Sequence, residues 1–482
     1  MIARRRVLDL GTLELKSTLL AVLGTLVFTL VAVDKFGLAG LLAPLGLVVV
    51  VLLLMRPVLA VMTVVFVVVL AEGGSFGFFV FTAHLYKTVS QGVSPVDLMV
   101  GLIVLSVLVD VLRTRRPLRV PGALVLPTVF LALAMACGWV MGSRVAGLSA
   151  LHVIVTENVL FYVLLLPLAV YNLDLDRRTI RLMLGATFVL AIVKALLGLA
   201  EIASGKGAPI EGTGRLTYFE PLPNWLVMMA ILVVFAAIIM RAKPPRWMLI
   251  SLPFLVACLV LSYRRSFWIG LVLSLLLVLL LGSRPVGRRM LLPVALLVVG
   301  AVWLLGSIHF QSQSPITKRI TSLQPSKIQT NADDRYRLDE RANVLGEIKQ
   351  HPLTGLGVGV AWTATVRPLP QEHKDGRQYV HFAALWWWLK LGILGLAAYV
   401  SIIAAALLIS FRVWRRMRDP LLSAFGLASL CGVVALIVLD TTASFTGVEQ
   451  RFTVVFGVQL GVLALLARHA EDDPETTEAA PA

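Results

Sequence analysis

Long apolar runs separated by short polar breaks repeat along almost the whole chain, at lengths that fit a membrane. A hydrocarbon layer of about 30 Å needs roughly 20 apolar residues of helix, fewer where the helix ends snorkel. On that measure fourteen helical spans are predicted, at about 18–33, 37–55, 58–71, 96–112, 122–141, 153–171, 182–200, 222–240, 247–262, 267–282, 290–308, 382–408, 420–439 and 452–467. The third and tenth runs are short, which sets the range at 12–14 spans. The predicted fold is an all-α integral membrane protein. Its layout is a bundle of about eleven spans over 1–309, a segment outside the membrane over 310–381, about three further spans over 382–468, and a disordered cytoplasmic tail over 469–482. The tail opens on the acidic run Glu471-Asp-Asp-Pro-Glu.

Within the long segment, Leu338, Leu345 and Ile348 fall at helical spacing and predict a helix from Asp333 to Gln350, its acids towards the positive end of the helix dipole. His351-Pro352 stops that helix, and glycines 355, 357 and 359 make a flexible loop after it. Lying on the membrane surface, the helix would hold Arg335, Arg337 and Arg341 over the bundle.

Composition agrees with this reading: of 482 residues, 58% are hydrophobic and only 15% charged, against about 25% charged in a soluble domain. A net charge of +16 would suggest a nucleic-acid partner if the basic residues formed one surface. They sit instead in clusters between apolar runs, where Lys and Arg report the cytoplasmic side, so no nucleic-acid partner is expected. With the N-terminus inside, the eight cytoplasmic stretches hold 23 of the 43 Lys and Arg, the six short outer loops 8, and the long segment 10. The orientation read from this is N-in and C-in, with the long segment on the outer face. Cys137, Cys258 and Cys431 all lie in apolar runs without metal-ligand spacing, and no His, Cys or carboxylate set suggests a metal.

Basic residues in short outer loops run against the topological trend. Arg215 precedes the eighth span in Gly214-Arg-Leu-Thr-Tyr-Phe-Glu-Pro-Leu-Pro-Asn224, and Arg264 and Arg265 occupy the tight turn Leu261-Ser-Tyr-Arg-Arg-Ser-Phe-Trp268. Arg144 and Arg451 are similarly placed. Each has a bland reading, snorkelling to lipid phosphates. The sharper one is convergence on a diphosphate, which guanidinium forks bind bidentately and neutralise without a metal ion. Lys194 and Lys390 lie within spans, at a cost of several kcal/mol. Lys194 either acts directly or pairs with a bundle carboxylate. Lys390 follows Trp386-Trp387-Trp388, which reads as an interfacial aromatic belt from which a lysine snorkels outward. His351, beside a helix-ending proline, reads as a cap or a ligand contact. His381, at the mouth of the twelfth span, sits at the depth expected for Arg215 and Arg265, where a neutral imidazole can take a proton from a sugar hydroxyl. Glu220 and Asp440 are the carboxylates that would serve if His381 only orients an acceptor.

Four of these pieces, in order, resemble the bacterial O-antigen ligase / O-antigen polymerase superfamily. They are Arg215-Leu-Thr with Pro223-Asn224; Leu261-Ser-Tyr-Arg-Arg-Ser, which places Arg265 on the family arginine; Arg337 with Pro352-Leu-Thr-Gly-Leu-Gly fifteen residues on; and His381 with Leu385, Gly392 and Gly395. The resemblance covers roughly residues 180–400. The chain departs from the pattern at Tyr218, Arg264, Arg341 and Phe382, where the family has glycine, serine, tryptophan and asparagine. The resemblance implies a GT-C-type membrane glycosyltransferase architecture in the bacterial cytoplasmic membrane, acting on its outer face. It further implies an undecaprenyl-diphosphate-linked glycan donor, a hydroxyl acceptor on a lipid, a glycan or a protein, and no metal or other cofactor. The residues expected to carry the chemistry are His381, Arg215 and Arg265. Arg215, Arg264, Arg265, Arg337, Asn224 and His351 are expected on the diphosphate or glycan. The competing class is a lipid-linked oligosaccharide flippase or another polytopic transporter, where paired broken helices and midplane charges are expected; a structural scaffold needs no clustered arginines.

Overall fold

A computed structural model describes residues 43–72, 78–86, 93–206, 208–210, 215–217, 221–282, 332–369 and 376–471. The helices are α1 Ala43–Met55, α2 Pro57–Leu70, α3 Pro95–Thr114, α4 Gly122–Val140, α5 Ala150–Val155, α6 Val159–Tyr171, α7 Arg177–Ala203, α8 Pro221–Ile239, α9 Arg246–Leu261, α10 Arg265–Gly282, α11 Ala332–Gln350, α12 Ala383–Arg416, α13 Pro420–Leu439 and α14 Gln450–Glu471. A minimal antiparallel hairpin, β1 Ala208–Ile210 with β2 Arg215–Thr217, joins α7 to α8.

Eight of these helices are long and apolar enough to cross a membrane, and α1 with α2, bent by 120° at Arg56, is a candidate ninth span. α6 and α9 are shorter apolar helices. Where they are described, the predicted runs between 37 and 282 and from 382 to 467 are helical, except that 153–171 is broken at 156–158 between α5 and α6. Residues 37–42, the runs at 18–33 and 290–308, and the tail beyond 471 lie outside the described residues. Large apolar side chains such as Leu112, Leu126, Leu182 and Ile250 stand exposed on helix flanks. Such surface is unfavourable in water and suits lipid. The protein is a multi-pass, all-α integral membrane protein.

α8, α13 and α14 form the centre, with 78%, 72% and 83% of their apolar windows buried, whereas α10 at 22% faces outward. At one end of the bundle, basic side chains close the loops: Arg116 pairs with Asp110 and Asp174, Arg181 with Asp419, and Arg177 and Arg468 donate to the His469 and Tyr171 carbonyls. The opposite end carries α11 and the segment that follows it.

That segment is held by polar contacts. The α11 face that turns inward is Tyr336, Asp339, Glu340, Asn343, Val344, Glu347 and Ile348, while Leu338 stays 44% exposed. Asn343 accepts from the Val366 and Arg367 amides and donates to the Arg367 carbonyl; Glu347 accepts from the Thr363 amide. α12 is broken at Gly392 (φ 66°, ψ −161°). The Leu389 and Lys390 carbonyls freed by the break accept instead from the Leu356 and Gly357 amides at 2.7 and 3.1 Å, and Ile393 N–H donates to the Leu353 carbonyl. A bilayer leaves no water for orphaned backbone groups, so such a break survives where another strand of chain satisfies it.

The Trp386-Trp387-Trp388 belt expected from the sequence is not a lipid-facing belt. Trp386 and Trp387 are buried, and the three indole N–H groups donate to the Gln378, Thr446 and Pro352 carbonyls, stapling three loops to the start of α12. Lys390 does not snorkel: it is fully buried, ion-paired to Glu157 at 2.9 Å, and donates to the Val360 carbonyl. Lys194 lies 3.8 Å from the buried Glu72, the bundle-carboxylate pairing of its two readings.

Candidate active site at the α11 end of the bundle

Chain geometry first sets Arg265. Tyr263 takes a left-handed conformation (φ 53°), turning the chain sharply out of α9, and α10 begins at Arg265. Its guanidinium pairs with Asp334 in the first turn of α11, the single nitrogen Nη2 lying 2.9 Å from each carboxylate oxygen. One turn further on, Arg337 brings Nη1 to 3.7 Å from the same carboxylate. Two residues 72 positions apart thus present their forks at one point. Arg265 is largely enclosed and Arg337 about one-third exposed. Arg264, one residue earlier, is exposed.

The second half of the site is on the neighbouring face of α11. Glu340, buried, lies 3.0 and 3.1 Å from His381 Nδ1 and also accepts the His381 backbone N–H at 2.8 Å. A carboxylate only accepts, so Nδ1 carries a hydrogen, and in the neutral ring the lone pair is then on Nε2. The ring is buried and clamped edge-to-face by Tyr336 and Tyr379, at 6.0 and 4.9 Å between centroids. Tyr379 in turn accepts from the Ser444 amide, and the next turn of chain is tied down by Ala383 N–H donating to the Asp440 carbonyl. Burial raises the Tyr379 hydroxyl well above its ordinary range, so it stays protonated, and it feels both the Glu340 carboxylate and the Arg337 guanidinium. Arg265, Asp334, Arg337, Tyr379, His381 and Glu340 are therefore one connected constellation.

Not every expected residue joins it. Of Arg215 only the backbone, in β2, is described, and Glu220 lies outside the described residues. Asn224 is fully buried in the first turn of α8. His351 is exposed just past the end of α11. Arg451 is a structural tie, bonded to Glu449 and the Ala71 carbonyl and lying over the Tyr86 ring. Asp440 is committed to Tyr399, Thr446 and the Phe445 amide. Among the described residues, no group of three or more His, Cys, Asp or Glu is arranged to hold a metal. Sequence reasoning missed Glu340 and Asp334. The signal was present: Tyr336, Asp339, Glu340, Asn343 and Glu347 recur at helical spacing, a polar face hidden beside the weaker apolar one.

With this geometry in place, comparison with known proteins sharpens the picture. Residues 250–400 match the family model described as O-antigen ligase, a stretch that runs from α9 through Arg264, Arg265, α11 and His381 into α12. No curated protein matches the chain. The match supports the O-antigen ligase/polymerase superfamily for this chain. Together with the apolar bundle, it describes a multi-pass membrane protein that is similar over residues 250–400 to O-antigen ligases.

Proposed function

We propose that the protein transfers a glycan from an undecaprenyl-diphosphate carrier to a hydroxyl acceptor on the outer face of the bacterial cytoplasmic membrane, without a metal ion. The observation that carries this reading is the Glu340–His381 pair standing beside two arginine forks that meet at one carboxylate. His381 Nε2 takes the proton from the acceptor hydroxyl, whose oxygen attacks the anomeric carbon as the bond to the lipid diphosphate breaks. Glu340 holds the ring in the required tautomer and stabilises the imidazolium that forms. The electron pair leaves on the diphosphate, where the guanidiniums of Arg265 and Arg337 meet the developing charge, with Arg215 and Arg264 as further candidates for it. Two cations against Asp334 leave one positive charge in excess at that point. A single displacement of this kind inverts the anomeric configuration.

The outer-face assignment follows from charge: basic side chains crowd the loops at the far end of the bundle, the end that remains cytoplasmic. The test is a His381→Ala variant in a reconstituted assay with a lipid-diphosphate-linked oligosaccharide. Donor binding is expected to persist while transfer falls by about 10²–10⁴, the range for a lost general base. Loss of donor binding with His381→Ala would place the histidine on the diphosphate instead.

A further inference from the structure

We infer that a second cavity, formed where α3, α5, α6 and α14 meet at the α11 end of the bundle, is a saccharide-binding site that holds sugar residues of the glycan away from the diphosphate. It has a volume of about 600 Å³, within the range of ordinary ligand pockets. Asp97, His152, Thr156, Glu157, Asn158 and Gln450 line it. Alternating donors and acceptors of this kind match the hydroxyl, amide and amino groups of sugars.

Glu157 carries the argument. It adopts a left-handed backbone (φ 61°), an unusual and costly state for a residue with a side chain. Its side chain is nine-tenths buried, and its Oε2 has no donor. Its ionic partner is Lys390, at 2.9 Å from Oε1. Buried polar atoms are rarely left without donors, and strain of this kind gathers where a ligand is met. Oε2 lacks a donor, which a sugar hydroxyl or ammonium supplies. The rest of the wall is prepared: Gln450 Nε2 donates to Asp97 and to Ser94, fixing its amide.

The charge of the lining decides which part of a lipid-linked glycan fits. Asp97 and Glu157 face the cavity, and the nearby cation, Lys390, is fully buried and bound to Glu157 and the Val360 carbonyl. A diphosphate is repelled here; uncharged or amine-bearing sugars are not. The cavity is also tied to the active-site strip. His152 packs against Gly359, whose carbonyl accepts from Gln378, three residues before His381. This inference rests on the glycan-transfer reading only for the source of the sugar, which is either the chain being transferred or a glycan acceptor.

The experiment uses the full-length protein in nanodiscs and saturation-transfer NMR. The probe is the oligosaccharide released by mild acid from the surface polysaccharide of cells expressing this chain, with inorganic pyrophosphate as competitor. Saccharide signals are expected in the wild type and in His381→Ala, and pyrophosphate should leave them unchanged. Glu157→Ala strands a buried lysine and risks misfolding, so Asn158→Trp and Thr156→Trp, which fill the cavity, are the decisive variants; each should weaken binding by about tenfold or more without lowering thermal stability. In the transfer assay, a raised KM for the acceptor alone marks an acceptor-glycan site, and a raised KM for the donor alone marks the donor's sugars. Saccharide binding that survives both tryptophan variants, that pyrophosphate displaces, or that is absent from the wild type would overturn the inference. Binding that persists in a protein shown not to transfer would sink the transferase reading and leave this one standing.

Discussion

Arg265 and Glu340 do different work, and single substitutions separate them. Arg265 reaches both Asp334 oxygens through Nη2 alone, but its planar guanidinium can meet a phosphate bidentately, which an ammonium cannot. Arg265→Lys should therefore lower transfer by about 10²–10³, close to the effect of alanine. A lysine variant with most of its activity would reduce Arg265 to a lipid-headgroup contact. Glu340 acts through His381. Glu340→Gln still accepts from Nδ1–H and from the backbone amide but brings no charge to the imidazolium. The expected result is a fall in kcat of at least about tenfold, with donor KM and thermal stability unchanged and partial recovery in Glu340→Asp. If Gln matches the wild-type kcat, the pair merely fixes the loop. The sequence made His381, Arg265 and Arg337 legible because they are basic groups where topology disfavours them. Asp334 was illegible for the converse reason, since an acid in the first turn of a helix already has an ordinary explanation in the helix dipole, and Glu340 because its polar face was not weighed against the apolar one.

Among the elements, the glycine loop and the break in α12 are two halves of one joint. Gly355 (φ 67°) and Gly392 (φ 66°) face each other so closely that a Cβ on Gly355 would lie 2.6 Å from the Gly392 nitrogen. Motif residues read separately as a flexible loop and a span turn out to be one backbone-to-backbone contact, which explains the glycines by fit and not by flexibility. Gly392 adds a φ/ψ combination essentially reserved for glycine. Gly392→Ala should cost about 3 kcal/mol or more and loosen the strip that ends at His381, lowering both thermal stability and kcat. Gly101, on an exposed face of α3 with no heavy atom within 4 Å, is the control, and there alanine should be neutral or slightly stabilising. Equal melting temperatures for the two variants would mean that the joint bears no strain. The apolar periodicity found α11 to within a residue, Asp333–Gln350 against Ala332–Gln350, but of the residues that set it Ile348 is buried and Leu338 exposed, because polar bonds from Asn343 and Glu347 share in choosing the face.

For the molecule as a whole, the two ends of the bundle are chemically distinct, and the proposed orientation in the membrane rests on that asymmetry. One end is tied by arginines that reach neighbouring loops and carboxylates, from Arg116 and Arg181 to Arg416 with Glu471. The other carries α11, the arginine pair and His381, where the described basic residues include Arg335 and Arg367, each paired with Asp339. In the proposed orientation, retention of Lys and Arg in the cytoplasm puts the first end inside, and the proposed lipid-linked glycan on the outer leaflet meets the second. Two exposed positions report this directly. A cysteine placed at Lys349, on the last turn of α11, should react with a membrane-impermeant maleimide in intact spheroplasts; one placed at Arg418, between α12 and α13, should react only after permeabilisation. Native Cys258 and Cys431 are buried, and Cys137 is exposed on the lipid-facing α4, so alanine at Cys137 gives a quiet background. The reverse labelling pattern would put His381 and Glu340 in the cytoplasm, where the same dyad would have to act on a carrier before it crosses the membrane, and the outer-face transfer proposed here would fail with it.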